Sequence, residues 1–245
     1  MANQIAESLL VAGKELNQGL RNLRFGEPVV CIYNPLEYAW APYCDYVRKY
    51  AFSRKRAVFL GMNPGPFGMV QTGIPFGEVS SVRDWLGING VVNPPERVHP
   101  KRPVLGFACS RAEVSGKRLW KLFADRFCRP EIFFREHFVL NYCPLAFMES
   151  SGRNRTPDKL PASERERLFK FCDAHLREVV SSLKPDRLIA IGRFAFDRAS
   201  DVFQSVSRPK IGQVLHPSPA CPSSNRNWAG TATAQLQKLG VWEKT

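Results

Sequence analysis

Three short runs that are apolar on both faces constrain this chain more than anything else in it. Ala57-Val58-Phe59-Leu60, Phe138-Val139-Leu140 and Leu188-Ile189-Ala190-Ile191, the last opened by Arg187 and closed by Gly192, are short enough to be strands. Apolarity without alternation marks them as covered on both sides, as in a parallel sheet. Lys210 to Leu215 reads as a fourth strand and Val29 to Tyr33 as a further short one. Between them apolar residues recur at helical spacing. Helices are therefore expected over Ile5–Leu23, Pro42–Phe52 with proline in the first turn, Val79–Leu86 and Ser115–Phe127 with Ser115 as cap. Others are expected over Ser163–Leu183 with Ser163 and Glu166 as a capping box, after Gly192 through Phe203, and from Asn225 or Asn227 to near Leu239. Strands alternating with helices predict a three-layer α/β/α sandwich around a mainly parallel central sheet. With no internal repeat and no linker, residues 1–245 read as a single domain; Asn93 to Arg111 is the one connection long enough to be a flexible insertion.

Charge narrows the partner. Lys plus Arg number 35 against 22 Asp plus Glu, a formal net charge of +13. Such an excess points to a polyanion, and nucleic acid is the simplest one, because cations facing phosphates release condensed counterions. The basic residues are interspersed with Pro, Phe and Trp, which favours a folded basic face over a tail. No run approaches the roughly 20 apolar residues that span a bilayer, and no signal-peptide pattern opens the chain, so no membrane partner is expected. Seven cysteines, at 31, 44, 109, 128, 143, 172 and 221, form no C-x-x-C pair. They read as reduced, mostly buried thiols, and neither a metal nor another cofactor is expected.

The chemistry gathers at the carboxyl ends of the strands. After Leu60 comes an uncharged stretch, Gly61 to Gly77, with five glycines and three prolines in seventeen residues. Glycines let backbone come close to a ligand, while prolines hold the loop in shape. Asn63, Phe67 and Phe76 within it supply an amide and two aromatic faces, and Met62, Met69 and Ile74 make it more than a solvated turn. A second strand ends in Asn141, and the fourth runs into His216-Pro217-Ser218-Pro219. In a parallel sheet these ends converge on one edge, where ligands of α/β proteins bind. An asparagine pairs with the carbonyl and ring N–H of a pyrimidine together. Stacking on an aromatic adds ~1 to 3 kcal/mol per base, and a histidine N–H can face a carbonyl oxygen that gains negative charge. Glu78 and Asp84, the acids nearest the loop, are read as structural.

These segments together resemble the motifs of the single-strand-selective monofunctional uracil-DNA glycosylases, a branch of the uracil-DNA glycosylase superfamily. The resemblance is carried by Gly61 to Gly77, Asn141-Tyr142-Cys143-Pro144-Leu145 and His216-Pro217-Ser218-Pro219. It extends through Asp84-Trp85-Leu86-Gly87-Ile88, His99 to Gly106, Glu113-Val114-Ser115-Gly116 and Ser151-Gly152-Arg153-Asn154, and spans about residues 25 to 242. It implies a uracil-DNA glycosylase-like fold and hydrolytic release of uracil, and of C5-oxidised uracils such as 5-hydroxymethyluracil, from single- and double-stranded DNA without strand cleavage.

By the same resemblance, Asn63 positions the attacking water and His216 stabilises the departing base at O2. Phe76 stacks on the base and Asn141 reads its edge, with Met62, Gly65, Phe67 and Met69 as further contacts; the Gly65 to Met69 backbone lines the C5 side. Pro217, Ser218, Pro219, Ala220, Cys221, Pro222, Ser223, Asn225 and Arg226 fall where the family has a duplex-invading wedge. Vertebrate members carry arginine and asparagine where this chain has Ala220 and Cys221, so the tip is less basic here, which favours bases already unpaired. Lys101, Arg102, Arg111, Lys117, Arg153 and Arg226 are the expected phosphate contacts. The expected protein is a monomer that hands abasic DNA to downstream abasic-site repair enzymes. It would be cytoplasmic, beside the nucleoid, in a bacterium, toward which the altered wedge leans, or nuclear in a eukaryote. Two alternatives stay open: action on deaminated purines such as xanthine and hypoxanthine, and a non-catalytic module holding single-stranded nucleic acid. A nucleotide-binding loop is disfavoured, because no Lys-Ser/Thr follows the glycines.

Overall fold

The structure, a computed structural model, describes residues 2–243. In chain order its elements are α1 (Ala2–Leu20), β1 (Val29–Tyr33), α2 (Pro35–Tyr38), α3 (Trp40–Tyr50), β2 (Ala57–Gly61) and α4 (Met69–Thr72). They continue as α5 (Val114–Phe127), α6 (Pro130–Glu136), β3 (His137–Asn141), β4 (Ala146–Glu149), β5 (Asn154–Arg155) and α7 (Ala162–Leu183), then β6 (Arg187–Ile191), α8 (Arg193–Phe203), β7 (Lys210–Val214) and α9 (Ser224–Lys238).

The expected α/β sandwich is present. Its central sheet is all parallel, in the order β3-β2-β6-β7. The both-face apolar pattern has its cause here: every residue of β2 and β3 is buried, whereas β7, at one edge, alternates between covered and exposed positions. Helix α1 packs against α7 and α3, and α5 against α6. Between α3, α5, α6 and the sheet lies an aromatic core. Phe123 and Phe133 stack with centroids 4.3 Å apart, and Tyr50 and Phe134 at 3.9 Å. Each such ring buried contributes roughly 1.5–3 kcal/mol, which holds α5 firmly on the sheet.

Several local expectations are corrected. Strand β1 does not join the parallel sheet; it pairs antiparallel with β4, which pairs with β5, in a second small sheet. Val79–Leu86 is not an α-helix but contains one wide π turn over Ser81–Trp85, because the Glu78 carboxylate takes the Ser81 N–H and the hydroxyls of Ser80 and Ser81. Ser115 does not cap α5: the cap position is Glu113 and no side chain bonds there. Helix α7 likewise starts from Pro161, without the Ser163–Glu166 box. The final helix has its break at Asn227, whose Oδ1 accepts the Gly230 N–H at 3.0 Å and starts the second segment. Asn93 to Arg111 is stitched down rather than free, since Gln71 bonds both Leu105 N and Pro103 O, and the Tyr33 hydroxyl donates to Arg102 O while accepting His99 N. Among the described residues the seven cysteines are unpaired thiols, five of them buried, and no helix is long and apolar enough to cross a membrane.

Candidate active site

Strands β2 and β3 lie in register, with Gly61 beside Asn141. Their pairing continues past the strand ends: Tyr142 N donates to Gly61 O at 3.0 Å and Cys143 N to Met62 O at 2.9 Å. Asn141, the last residue of β3, and Asn63, two residues past β2, are thereby carried to the same end of the sheet. Below them the Tyr142 hydroxyl, Asp173 of α7 and Arg198 of α8 form a half-buried network at 2.6–2.8 Å, which pins this corner to two helices. His216 arrives from β7 across the sheet.

These ends converge on a cavity of about 220 Å³, lined by Met62, Asn63, Gly65, Met69, Phe76, Glu113, Asn141, His216 and neighbouring residues. That volume falls below the roughly 300–1,000 Å³ typical of drug-sized sites. It suits one small ring. A wider groove of about 970 Å³ lies elsewhere, between Leu20–Phe25 and Val29–Ile32. None of the polar strand ends reaches it, so its size does not make it the site.

Each polar group at the cavity has a defined state. Asn63 Nδ2 donates to Leu145 O at 3.1 Å, which leaves Oδ1 to accept from a water. Asn141 is buried, its Nδ2 facing Met69 Sδ at 3.3 Å while Oδ1 has no partner. An orphaned buried acceptor is costly unless a ligand supplies a donor. His216 Nδ1 accepts the Ser218 N–H at 3.1 Å, so the ring's own proton sits on Nε2. Burial lowers its pKa to about 4. The histidine is thus a neutral N–H donor at physiological pH. Phe76 lies with its ring centroid 6.2 Å from that of His216 and adopts φ 54°, a left-handed conformation that strains a bulky residue. Its carbonyl is held by Trp120 Nε1 at 3.0 Å and Glu78 N at 2.8 Å.

Phe67 is not among the cavity-lining residues. Its ring lies under Arg111, whose guanidinium carbon is 4.0 Å from the ring centroid, with Arg102 at 5.4 Å. Lys101 and Arg102 abut Gly152, next to Arg153. Those four basic residues therefore gather on the side of Phe67 and the glycine-rich stretch. Lys117 stands apart, in a groove with Asp84 and Trp85. Pro217 to Ser223 form a turn-built loop, with Cys221 N bonded to Ser218 O and Asn225 Nδ2 to Pro219 O. Ala220, Pro222 and Ser223 are exposed on it, as are Asn225 and Arg226 at the start of α9.

Sequence reasoning gave no role to three residues that hold the site. Arg118 Nη1 bridges the carbonyls of Pro217 and Ser224 at 2.9 and 3.2 Å and closes the neck of the loop after His216. Asn154 Nδ2 donates to Pro64 O at 2.8 Å and ties the glycine-rich turn to the second sheet. Glu113 places a carboxylate beside the same turn, its pKa raised by burial against the opposing Phe67 N–H. Nothing within their own segments marks these partners. Glu113 and Asn154 fall inside stretches that carry the resemblance, which was their only signal.

The family model for the uracil DNA glycosylase superfamily matches residues 48–240. A single-strand selective monofunctional uracil-DNA glycosylase of Rattus norvegicus is 48% identical over 241 residues, covering 98% of this chain and 87% of the relative. Its counterpart in Bos taurus is 48% identical over 97% of this chain and 88% of its own. A solved structure of Pedobacter heparinus SMUG2 shares the fold with a TM-score of 0.64 at 17% identity, covering 94% of this chain and 99% of that one. The chain belongs to the uracil-DNA glycosylase superfamily, in its single-strand-selective monofunctional branch.

Proposed function

We propose that this protein hydrolyses the N-glycosidic bond of uracil in DNA, preferentially where the base is already unpaired, and leaves an abasic site. One observation carries the reading: Asn63 and Phe76 of the glycine-rich stretch, Asn141 at the end of β3 and His216 after β7, from three distant segments, meet around one ring-sized cavity. Phe76 stacks on an extruded base and Asn141 offers Oδ1 to its ring N–H and Nδ2 to the adjacent carbonyl. His216 then points its Nε2–H at O2. Asn63 Oδ1 directs a water toward the sugar carbon, but an amide is too weak a base to ionise it. Departure of the base therefore leads, and the neutral His216 donor stabilises the negative charge that the base gathers. The transition state is accordingly oxocarbenium-like, with water adding late.

Gly65 puts no side chain of its own into the cavity wall, although Glu113 lies against it; on that ground the reading extends to C5-oxidised uracils such as 5-hydroxymethyluracil. The basic cluster of Lys101, Arg102, Arg111 and Arg153 and the loop at 217–226 flank the cavity, as a path for the DNA backbone requires. Duplex DNA is a poorer substrate in this reading, because Ala220 and Cys221 give the loop tip little to replace an extruded base.

The test is release of free base from single-stranded DNA carrying one uracil, in EDTA, for wild type, Asn63→Ala and His216→Ala. Both substitutions are expected to lower the single-turnover rate by about 10²-fold or more while DNA binding persists. Binding without release by the wild-type protein would sink the enzyme reading and leave a single-strand-binding module.

A further inference from the structure

The glycine-rich turn that carries Asn63 is closed locally by the Gly68 and Val70 N–H groups on Gly65 O, each at 3.2 Å, and by Gln71 Nε2 donating to Pro66 O at 2.9 Å, but it has few further anchors of its own. Pro64 and Pro66 lack N–H groups, and Gly65 and Gly68 lack side chains. The space those glycines leave is occupied by Glu113, from the position that caps α5. A Cβ at Gly65 would come within 2.6 Å of Glu113 Cδ, and one at Gly68 within 3.0 Å of Cγ. Glu113 Oε2 accepts the Phe67 N–H at 3.3 Å, the one side-chain acceptor that a backbone N–H of residues 63–68 finds among the described residues. On its far side the turn hangs from Asn154, through Pro64 O, and from Leu145 O, through Asn63 Nδ2. The same helix reaches the other parts of the site: Trp120 holds the Phe76 carbonyl and Arg118 the loop after His216.

We infer that Glu113 is a positioning residue of the reaction, its carboxylate seating the Gly65–Gly68 turn so that Asn63 meets the attacking water at the correct distance. The inference rests on the hydrolase reading above. Glu113 touches neither water nor base in this role; it acts through the turn. What the turn needs from it is an acceptor of the right reach, so glutamine should substitute and a shorter or absent arm should not. An error of about 1 Å in the placement of a reacting group is worth up to ~10²-fold in rate.

The experiment measures kcat and KM on single-stranded uracil DNA for wild type, Glu113→Gln, Glu113→Asp and Glu113→Ala, and repeats the Glu113→Ala change in an Asn63→Ala background under single-turnover conditions. Glu113→Ala and Glu113→Asp should lose about 10- to 100-fold in kcat with KM within about 3-fold, whereas Glu113→Gln stays within about 3-fold of wild type. In the Asn63→Ala background the loss should vanish, because a positioning residue has nothing left to position. An equal loss in both backgrounds, a loss carried by KM, or Glu113→Gln as impaired as Glu113→Ala would each overturn the proposal while the hydrolase reading stands. A wild type that releases no uracil would bring both down. Should Glu113→Ala fail to fold, the contrast between Glu113→Asp and Glu113→Gln decides alone.

Discussion

His216 shows how one residue's surroundings select its chemistry. Burial disfavours the imidazolium, and the Ser218 N–H occupies Nδ1, a position that protonation would turn from acceptor to donor. Both effects favour the same species, neutral with its proton on Nε2. The expected outcome is an imidazole that titrates near pH 4 and shows the Nε2–H tautomer by ¹⁵N NMR from pH 5 upward. Titration near the ordinary histidine value of ~6.5 would remove the neutral-donor mechanism. Phe76 illustrates what residue-level reading misses. Its identity suggested stacking, but its φ of 54° is imposed by the Trp120 indole and Glu78 amide on its carbonyl. Trp120 lies 44 positions away, so no local pattern around Phe76 announces the constraint.

At the scale of elements, α5 does more than cover the sheet. Its first two turns contact the glycine-rich turn, the strained Phe76 and the loop after His216. The Arg118 bridge is the part open to the cleanest test. Hydrogen bonds from a charged donor contribute roughly 1.5–3 kcal/mol, so Arg118→Ala should lower kcat/KM about 10-fold or more. It should also speed amide exchange across 217–224, with little change in the central strands. Unchanged exchange in that loop would mean the neck closes without Arg118. The elements themselves were legible where apolar periodicity is strong, as in α1, α5, α7 and the four parallel strands. Helix starts were less so. Ser115 and Ser163 look like caps, yet the chain enters α5 and α7 one or two residues earlier, with Glu113 turned beneath Gly65 and Pro161 setting the first turn. Strands β4 and β5 escaped detection because β5 is two residues long and both are defined by partners, not by pattern.

At the scale of the molecule, the buried histidines set the acid limit. His137 and His175 both have pKa values lowered to about 4 by burial; His137 Nδ1–H donates to Phe133 O, and neither nitrogen of His175 has a partner. With folded values below the ordinary ~6.5, the unfolded chain takes up protons first as pH falls, so stability is full above pH 6.5 and is lost toward pH 4. Each group contributes on the order of 2–3 kcal/mol to that loss. Glu113, with a raised value, opposes it. Urea midpoints measured from pH 7 to 4 should therefore fall steeply, and His175→Phe should flatten the slope; a slope unchanged by that substitution would place the acid sensitivity elsewhere. What the sequence determined by itself was the parallel sheet and the polar residues at its carboxyl edge. Apolarity on both faces and the residue that ends a strand are written in consecutive positions. What only the tertiary structure decided was how that edge is held: Glu113 beneath the turn at Phe67, 46 positions away, and Arg118 on the loop at Pro217, 99 positions away. Such contacts exist only after the sheet has brought distant segments together, since a hydrogen bond depends on distance in space and leaves no periodic trace along the chain.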